Sequence, residues 1–213
     1  MTKLLVIRHG QSVSNLEGYF TGHMNTPLTD QGRTQAEITA NYIASNHKVD
    51  AVYSSDLDRA YETGKAVADK LVLPVTQCAD LREIYAGKWE GMYFSELHKV
   101  FPETYAQWCT DAGNATPDGG ESVAALMDRV IAAINRIAEE NEGKTVVIAS
   151  HGTPIRVLQC YCEGKPLALM KQVPWVTNAS VSTVIYENGK LTMPVVSYDS
   201  HLGELVSKLP SNV

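Results

Sequence analysis

The chain has 213 residues, 44% hydrophobic and 20% charged, with a formal net charge of −6. That length suffices for one large domain, or a domain with an insertion, with its own core. An acidic balance with no basic tail or stripe argues against nucleic acid or anionic membrane as a partner, although local arginines can still serve a small anionic substrate.

The chain opens with the apolar run Leu4-Leu5-Val6-Ile7. This pattern suits a strand buried on both faces of a parallel sheet. It stops at Arg8-His9-Gly10, where open α/β sheets place ligands. The glycine there permits close backbone approach to a ligand or a positive φ. A long polar connection, 11–28, is expected to be functional or partly helical. A helix is predicted over 30–46, with Thr29 as N-cap and Ala36, Ala40, Ile43 and Ala44 on its apolar face. A second strand is predicted over 49–53, then a helix over 57–71 with Arg59 in its first turn, then a strand over 74–78. The order β-α-β-α-β calls for a parallel sheet with covering helices.

The middle of the chain is rich in glycine, proline and tryptophan. It reads as a small helical cap inserted at about 87–121, with short helices near 95–100 and 102–110, inside a single domain spanning 1–213. A strongly amphipathic helix is expected over 122–141, ended by Gly143. The next apolar strand, 145–149, ends in Ser150-His151-Gly152. A helix should follow, with Thr153 as N-cap and Pro154 as its first residue. Asn188-Gly189 predicts a hairpin between strands 180–186 and 190–196. The expected fold is a three-layer α/β/α arrangement: a mostly parallel central sheet, one antiparallel edge hairpin and the cap.

No apolar run approaches the ~18 residues of a membrane span. Met1-Thr2-Lys3 leads into a strand rather than a signal peptide, so the expected compartment is the cytoplasm. Cys78, Cys109, Cys160 and Cys162 form no CxxC pair and read as reduced packing thiols.

Two buried strands thus end alike, in LVIRHG and VIASHG, and in a parallel sheet His9 and His151 converge on one edge. Such a pair suits a metal, a base with its partner, or a nucleophile with electrostatic support. Arg8 beside His9 and the lack of HxH, HExxH or a nearby carboxylate cluster disfavour the metal. GxSxG and GxGxxG are both absent. An anion site fits better. Arg8 offers a planar fork of donors, Arg59 lies on the same edge, Asn15 adds an amide, and Gly152 begins a helix N-terminus.

These residues resemble the histidine phosphatase superfamily, which includes cofactor-dependent phosphoglycerate mutases and many phosphatases. The matching pieces are RHG at 8–10, SSDLDRAYETG at 54–64, LREIYAGKWEG at 81–91, PDGGES at 117–122, SHG at 150–152 and the ending TNASVSTVIYENGKL. The resemblance implies that His9 is the nucleophile and forms a phosphohistidine. It implies that Arg8, Arg59 and His151 hold the phosphoryl oxygens, with His151 adding charge if protonated, and that Asn15 is a further ligand. Glu83 would be the general acid and then the base for water. Thr21-Gly22 matches a substrate-contacting step. No cofactor or metal is implied.

Mutases of the family usually carry a tyrosine three residues after the catalytic glutamate, where this chain has Ala86. They also carry a paired-arginine insertion, whereas 91–120 contains no arginine. The resemblance therefore points to a metal-independent phosphomonoesterase for a small phosphorylated metabolite. A mutase and a non-catalytic binder of phosphorylated ligands are the alternatives. Tyr19, Phe20, His23, Tyr85 and the stretch 89–108 are candidates for the leaving-group pocket or for packing. The C-terminal hairpin is either core or the edge of a homodimer.

Overall fold

A computed structural model describes residues 1–207. Strand β1 (Thr2–Arg8) lies inside a six-stranded sheet of order β3-β2-β4-β1-β5-β6. Helices α1 (Val13–Glu17) and α2 (Asp30–Asn46) follow it, so the 11–28 connection is partly helical. Next come β2 (Ala51–Ser54), α3 (Asp58–Leu71) and the short β3 (Val75–Gln77). The cap helices are α4 (Phe94–Val100) and α5 (Pro102–Thr110). Then α6 (Val123–Glu140) leads to β4 (Thr145–Ser150) and α7 (Gly152–Glu163). The chain closes with the hairpin β5 (Val181–Glu187) and β6 (Lys190–Tyr198). Strands β1 to β4 are mutually parallel, and β5 and β6 add antiparallel.

The continuous apolar runs have a direct cause. Leu4, Val6, Val146 and Ile148 pack with α6 and α7 residues such as Leu126, Ile134 and Leu158. Leu5, Ile7 and Val147 face the other way, onto Ala40 and Ile43 of α2 and Val67 of α3. A strand covered on both faces cannot alternate apolar with polar. Cap residues Leu97 and Trp108 belong to the same cluster as Leu4 and Val6.

Local signals are visible in the elements. Thr29 caps α2 by accepting from the Gly32 N–H, and Ser122 caps α6 by accepting from Ala125. Asn188 and Gly189 both have positive φ, 51° and 76°, as a type I′ hairpin turn requires. Strand β5 buries its first residues against β1, while β6 is an open edge on which Val195 is exposed.

Two sequence expectations are corrected. Helix α7 begins at Gly152 with the extended His151 as N-cap, not at Pro154 with Thr153. Pro154 falls at the third helical position, where an N–H has no intrahelical partner anyway, so it tolerates the earlier start. Gly10 has no positive φ; its need for glycine is steric and comes from another helix. A Cβ there would sit 2.3 Å from the Gly32 carbonyl oxygen. The turn after β1 is thus pressed against the start of α2.

The chain leaves β1 toward α2 on one face of the sheet and leaves β4 toward α7 on the other. Adjacent strands whose exits diverge leave a crevice at their carboxyl ends. Among the described residues, no helix is long and apolar enough to cross a membrane.

Candidate active site

The two histidines meet in that crevice. Arg8 is in register with Ser150, and the His9 N–H donates to the Ser150 carbonyl at 3.0 Å. The next residue of each strand therefore stands beside the other. The His9 and His151 rings lie 5.2 Å apart, centre to centre, at 61°. His9 Nδ1 is 2.7 Å from the Gly10 carbonyl oxygen. A carbonyl only accepts, so Nδ1 carries the hydrogen and Nε2 keeps its lone pair. Burial, then the Arg59 and Arg8 cations, hold the His9 pKa well below the ordinary 6.5. His9 is neutral, with one basic nitrogen to offer.

Arg59 projects from the first turn of α3. Its Nη1 donates to the Met24 carbonyl at 2.9 Å and its Nη2 to the Gly22 carbonyl at 2.8 Å. Gly22 holds that carbonyl in place at φ 53°, tight against Glu90, where a Cβ would lie 2.1 Å from Oε1. Arg8 donates through Nη1 to Val176 at 2.6 Å, and its buried Nε has no partner. Burial lowers both guanidinium pKa values to about 10, so both stay charged at neutral pH. Among the described residues neither arginine forms a salt bridge. Two buried cations that no carboxylate meets in a salt bridge call for an anion, although the Glu83 charge acts on both from a distance.

Glu83 faces them from the loop after β3. Its Oε1 accepts from the Ile84 N–H at 2.8 Å and its Oε2 from the Thr153 N–H at 3.3 Å. The carboxylate is thereby seated on the first turn of α7. The main chain behind it is gripped by Arg129, a residue that the sequence reading missed. Arg129 donates to the carbonyls of Asp80, Arg82 and Glu83 at 2.8, 2.9 and 2.8 Å, and pairs with Glu121. His23 Nε2 donates to the same Glu83 carbonyl at 2.9 Å.

The cavity in the crevice is lined by Arg8, His9, Asn15, Thr21, Gly22, Arg59, Glu83 and Gly152, together with Gln11 and Thr153. His151 stands apart from this group. It is fully buried behind His9, its Nε2 2.8 Å from Ser55 Oγ and its Nδ1 without a partner. Burial and then the Arg59 cation hold its pKa well below 6.5, so it is neutral rather than a further positive charge.

Asn15 Oδ1 accepts from Asn178 Nδ2 at 3.0 Å, and the same Nδ2 donates to the His9 carbonyl at 3.0 Å. Asn178 lies in the matched ending of the chain, yet nothing local marked it. Trp175 also lines the cavity, stacked on Arg156 at 4.2 Å. A Cβ on Gly152 would meet its ring at 2.9 Å, so glycine at 152 makes room for the indole. Of the pocket candidates, Tyr19, Phe20 and Trp108 line the cavity. His23 and Tyr85 contact each other outside it, and Trp89 is core. Among the described residues, no group of three or more His, Cys, Asp or Glu side chains is placed to hold a metal ion.

Residues 4–198 match the family model of the histidine phosphatase superfamily (branch 1). The chain is 36% identical to phosphoglycerate mutase-like protein 4 of Arabidopsis thaliana, over 95% of this chain and 87% of the relative. It is 30% identical to phosphoserine phosphatase 1 of Hydrogenobacter thermophilus, over 96% of each. The solved structure of Bacillus stearothermophilus YhfR superposes with a TM-score of 0.91 at 28% identity, covering 95% of this chain and all of that one. With a match that spans nearly every described element, the chain belongs to the histidine phosphatase superfamily, branch 1.

Proposed function

We propose that the protein is a metal-independent phosphomonoesterase that hydrolyses small phosphorylated metabolites through a phosphohistidine on His9. One observation carries this reading. A neutral His9 with a free Nε2 lies with two buried arginines that, among the described residues, form no salt bridge.

The reaction runs in two displacements. His9 Nε2 attacks phosphorus as the P–O bond to the leaving alcohol breaks. Arg8 and Arg59 take the phosphoryl oxygens, Asn15 and the first N–H groups of α7 add donors, and no cation must move during transfer. The unpartnered Nδ1 of His151 suits a further oxygen contact. Glu83 gives a proton to the leaving oxygen, which departs as the alcohol. Glu83 then takes a proton from water as water attacks the phosphohistidine, releasing inorganic phosphate and restoring His9.

Hydrolysis is favoured over mutase transfer by the cap, where 91–120 has no arginine to grip a second acidic group. The similarity to a phosphoserine phosphatase supports that choice. A cytoplasmic enzyme with a small-molecule partner fits this chemistry.

The test is phosphate release from p-nitrophenyl phosphate by the purified protein, with and without EDTA. Turnover that survives EDTA and disappears in His9→Ala is expected. A protein that binds phosphate but turns over no ester would overturn the reading.

A further inference from the structure

Beyond the phosphate end, the cavity is walled by five aromatic side chains, Tyr19, Phe20, Phe94, Tyr105 and Trp108, while Trp175 lines it beside Gly152 and Arg8. Phe20 is the hub. Its ring meets Phe94 at 5.8 Å and Trp108 at 5.4 Å, both edge-on. The fully buried Trp89 backs Phe20 at 5.6 Å and Trp108 at 6.0 Å. Phe94, Tyr105 and Trp108 come from the cap helices α4 and α5. Edge-to-face packing of this kind fixes ring positions, so the wall is built before any ligand arrives.

The wall offers no charge. Among the described residues, the charged side chains lining the cavity are Arg8, Arg59 and Glu83. In the phosphatase reading, on which this inference rests, both arginines take phosphoryl oxygens and Glu83 faces the leaving oxygen. The Tyr19 hydroxyl is engaged with Thr26 at 3.2 Å. Burial first, then Cys109, pushes the Tyr105 hydroxyl up to about 12, so it stays neutral. A carboxylate on the leaving alcohol would be stripped of water against aromatic rings, beside Glu83, with no cation left to pair. A flat apolar body would instead exchange water for ring contact.

We propose that the site prefers phosphate monoesters of uncharged alcohols carrying a flat apolar body, over esters of hydroxy acids or amino acids. The aromatic wall, and not a second cation, then sets specificity.

The experiment compares kcat/KM of the full chain for 2-phenylethyl phosphate, ethyl phosphate, O-phosphoserine and 3-phosphoglycerate. These are alkyl esters, so the comparison reads recognition and not the ease of expelling an aryl oxide. Burial of one ring predicts that 2-phenylethyl phosphate leads each of the others by about tenfold or more. Phe94→Ala, at a half-buried position, should cut the ratio of 2-phenylethyl to ethyl phosphate by about fivefold or more. O-phosphoserine or 3-phosphoglycerate matching 2-phenylethyl phosphate would overturn the preference and leave the phosphatase reading standing. No turnover of any of the four would overturn both.

Discussion

Arg129 Nη2 donates to the backbone carbonyl of Glu83 at 2.8 Å, so the residue read as the general acid is held through its main chain by a cation from the second turn of α6. The same guanidinium ties down Asp80 and Arg82, and Glu121 closes its other edge. Arg129 is a positioning residue: it acts through Glu83. Arg129→Met is expected to lower kcat on alkyl phosphates by about 100-fold, the scale of a misplaced group, and p-nitrophenyl phosphate much less. Arg129→Lys should recover part of the loss. Equal losses on both substrate classes would mark Arg129 as merely structural.

Glu83 itself makes a sharper case. Glu83→Gln keeps the shape but cannot deliver a proton. The loss on poor leaving groups is expected at about 100-fold or more, and on p-nitrophenyl phosphate far less. The slope of log kcat/KM against leaving-group acidity measures this directly. An unchanged slope would contradict the acid role.

The histidines couple the site to stability. His9 and His151 are held well below 6.5 in the fold, and the unfolded chain titrates them near that ordinary value. Below about 6.5 the unfolded state therefore binds more protons than the native one, and stability rises with pH. The melting temperature should stay level above about pH 6.5 and fall progressively as pH drops below it. His151→Gln removes one of the two groups and should flatten that slope. A melting temperature independent of pH across this range would contradict the buried, neutral state of the pair.

The turn carrying His9 depends on a glycine-to-glycine contact. A Cβ on Gly32 would lie 2.0 Å from the Gln11 carbonyl oxygen, which is backbone and cannot swing away. Gly32→Ala should cost about 1–3 kcal/mol. For a chain of this size that lowers the melting temperature by roughly 2–12 °C. A thermal melt indistinguishable from wild type would show that the turn and α2 separate freely.

Much of the fold was legible because its signals are local. Thr29 with Ala36, Ala40 and Ile43 predicted α2 to the residue, and Asn188-Gly189 predicted the hairpin. The convergence of His9 and His151 followed from two buried strands ending alike. The start of α7 was misread because Pro154 is a local signal, whereas the extended His151 contacts His9 and Ser55, the residues just past β1 and β2. Gly10 was read correctly as special but for the wrong neighbour, since Gly32 lies in another element. Arg129 resembled a solvated residue on the flank of an apolar stripe. Its carbonyl partners lie 46 to 49 residues earlier in the chain. Asn178 and Trp175 reach the site across even larger separations, which no periodicity records.

The central claim is that His9 Nε2 forms a covalent bond to the transferred phosphoryl group. Rapid quench of the enzyme during turnover into alkali, followed by peptide mass spectrometry, tests it most directly. The expected result is a phosphoryl group on the peptide containing His9, stable to alkali, labile to acid and absent in His9→Ala. A phosphoryl group on another residue, or steady turnover with no phosphoenzyme at any quench time, would contradict it.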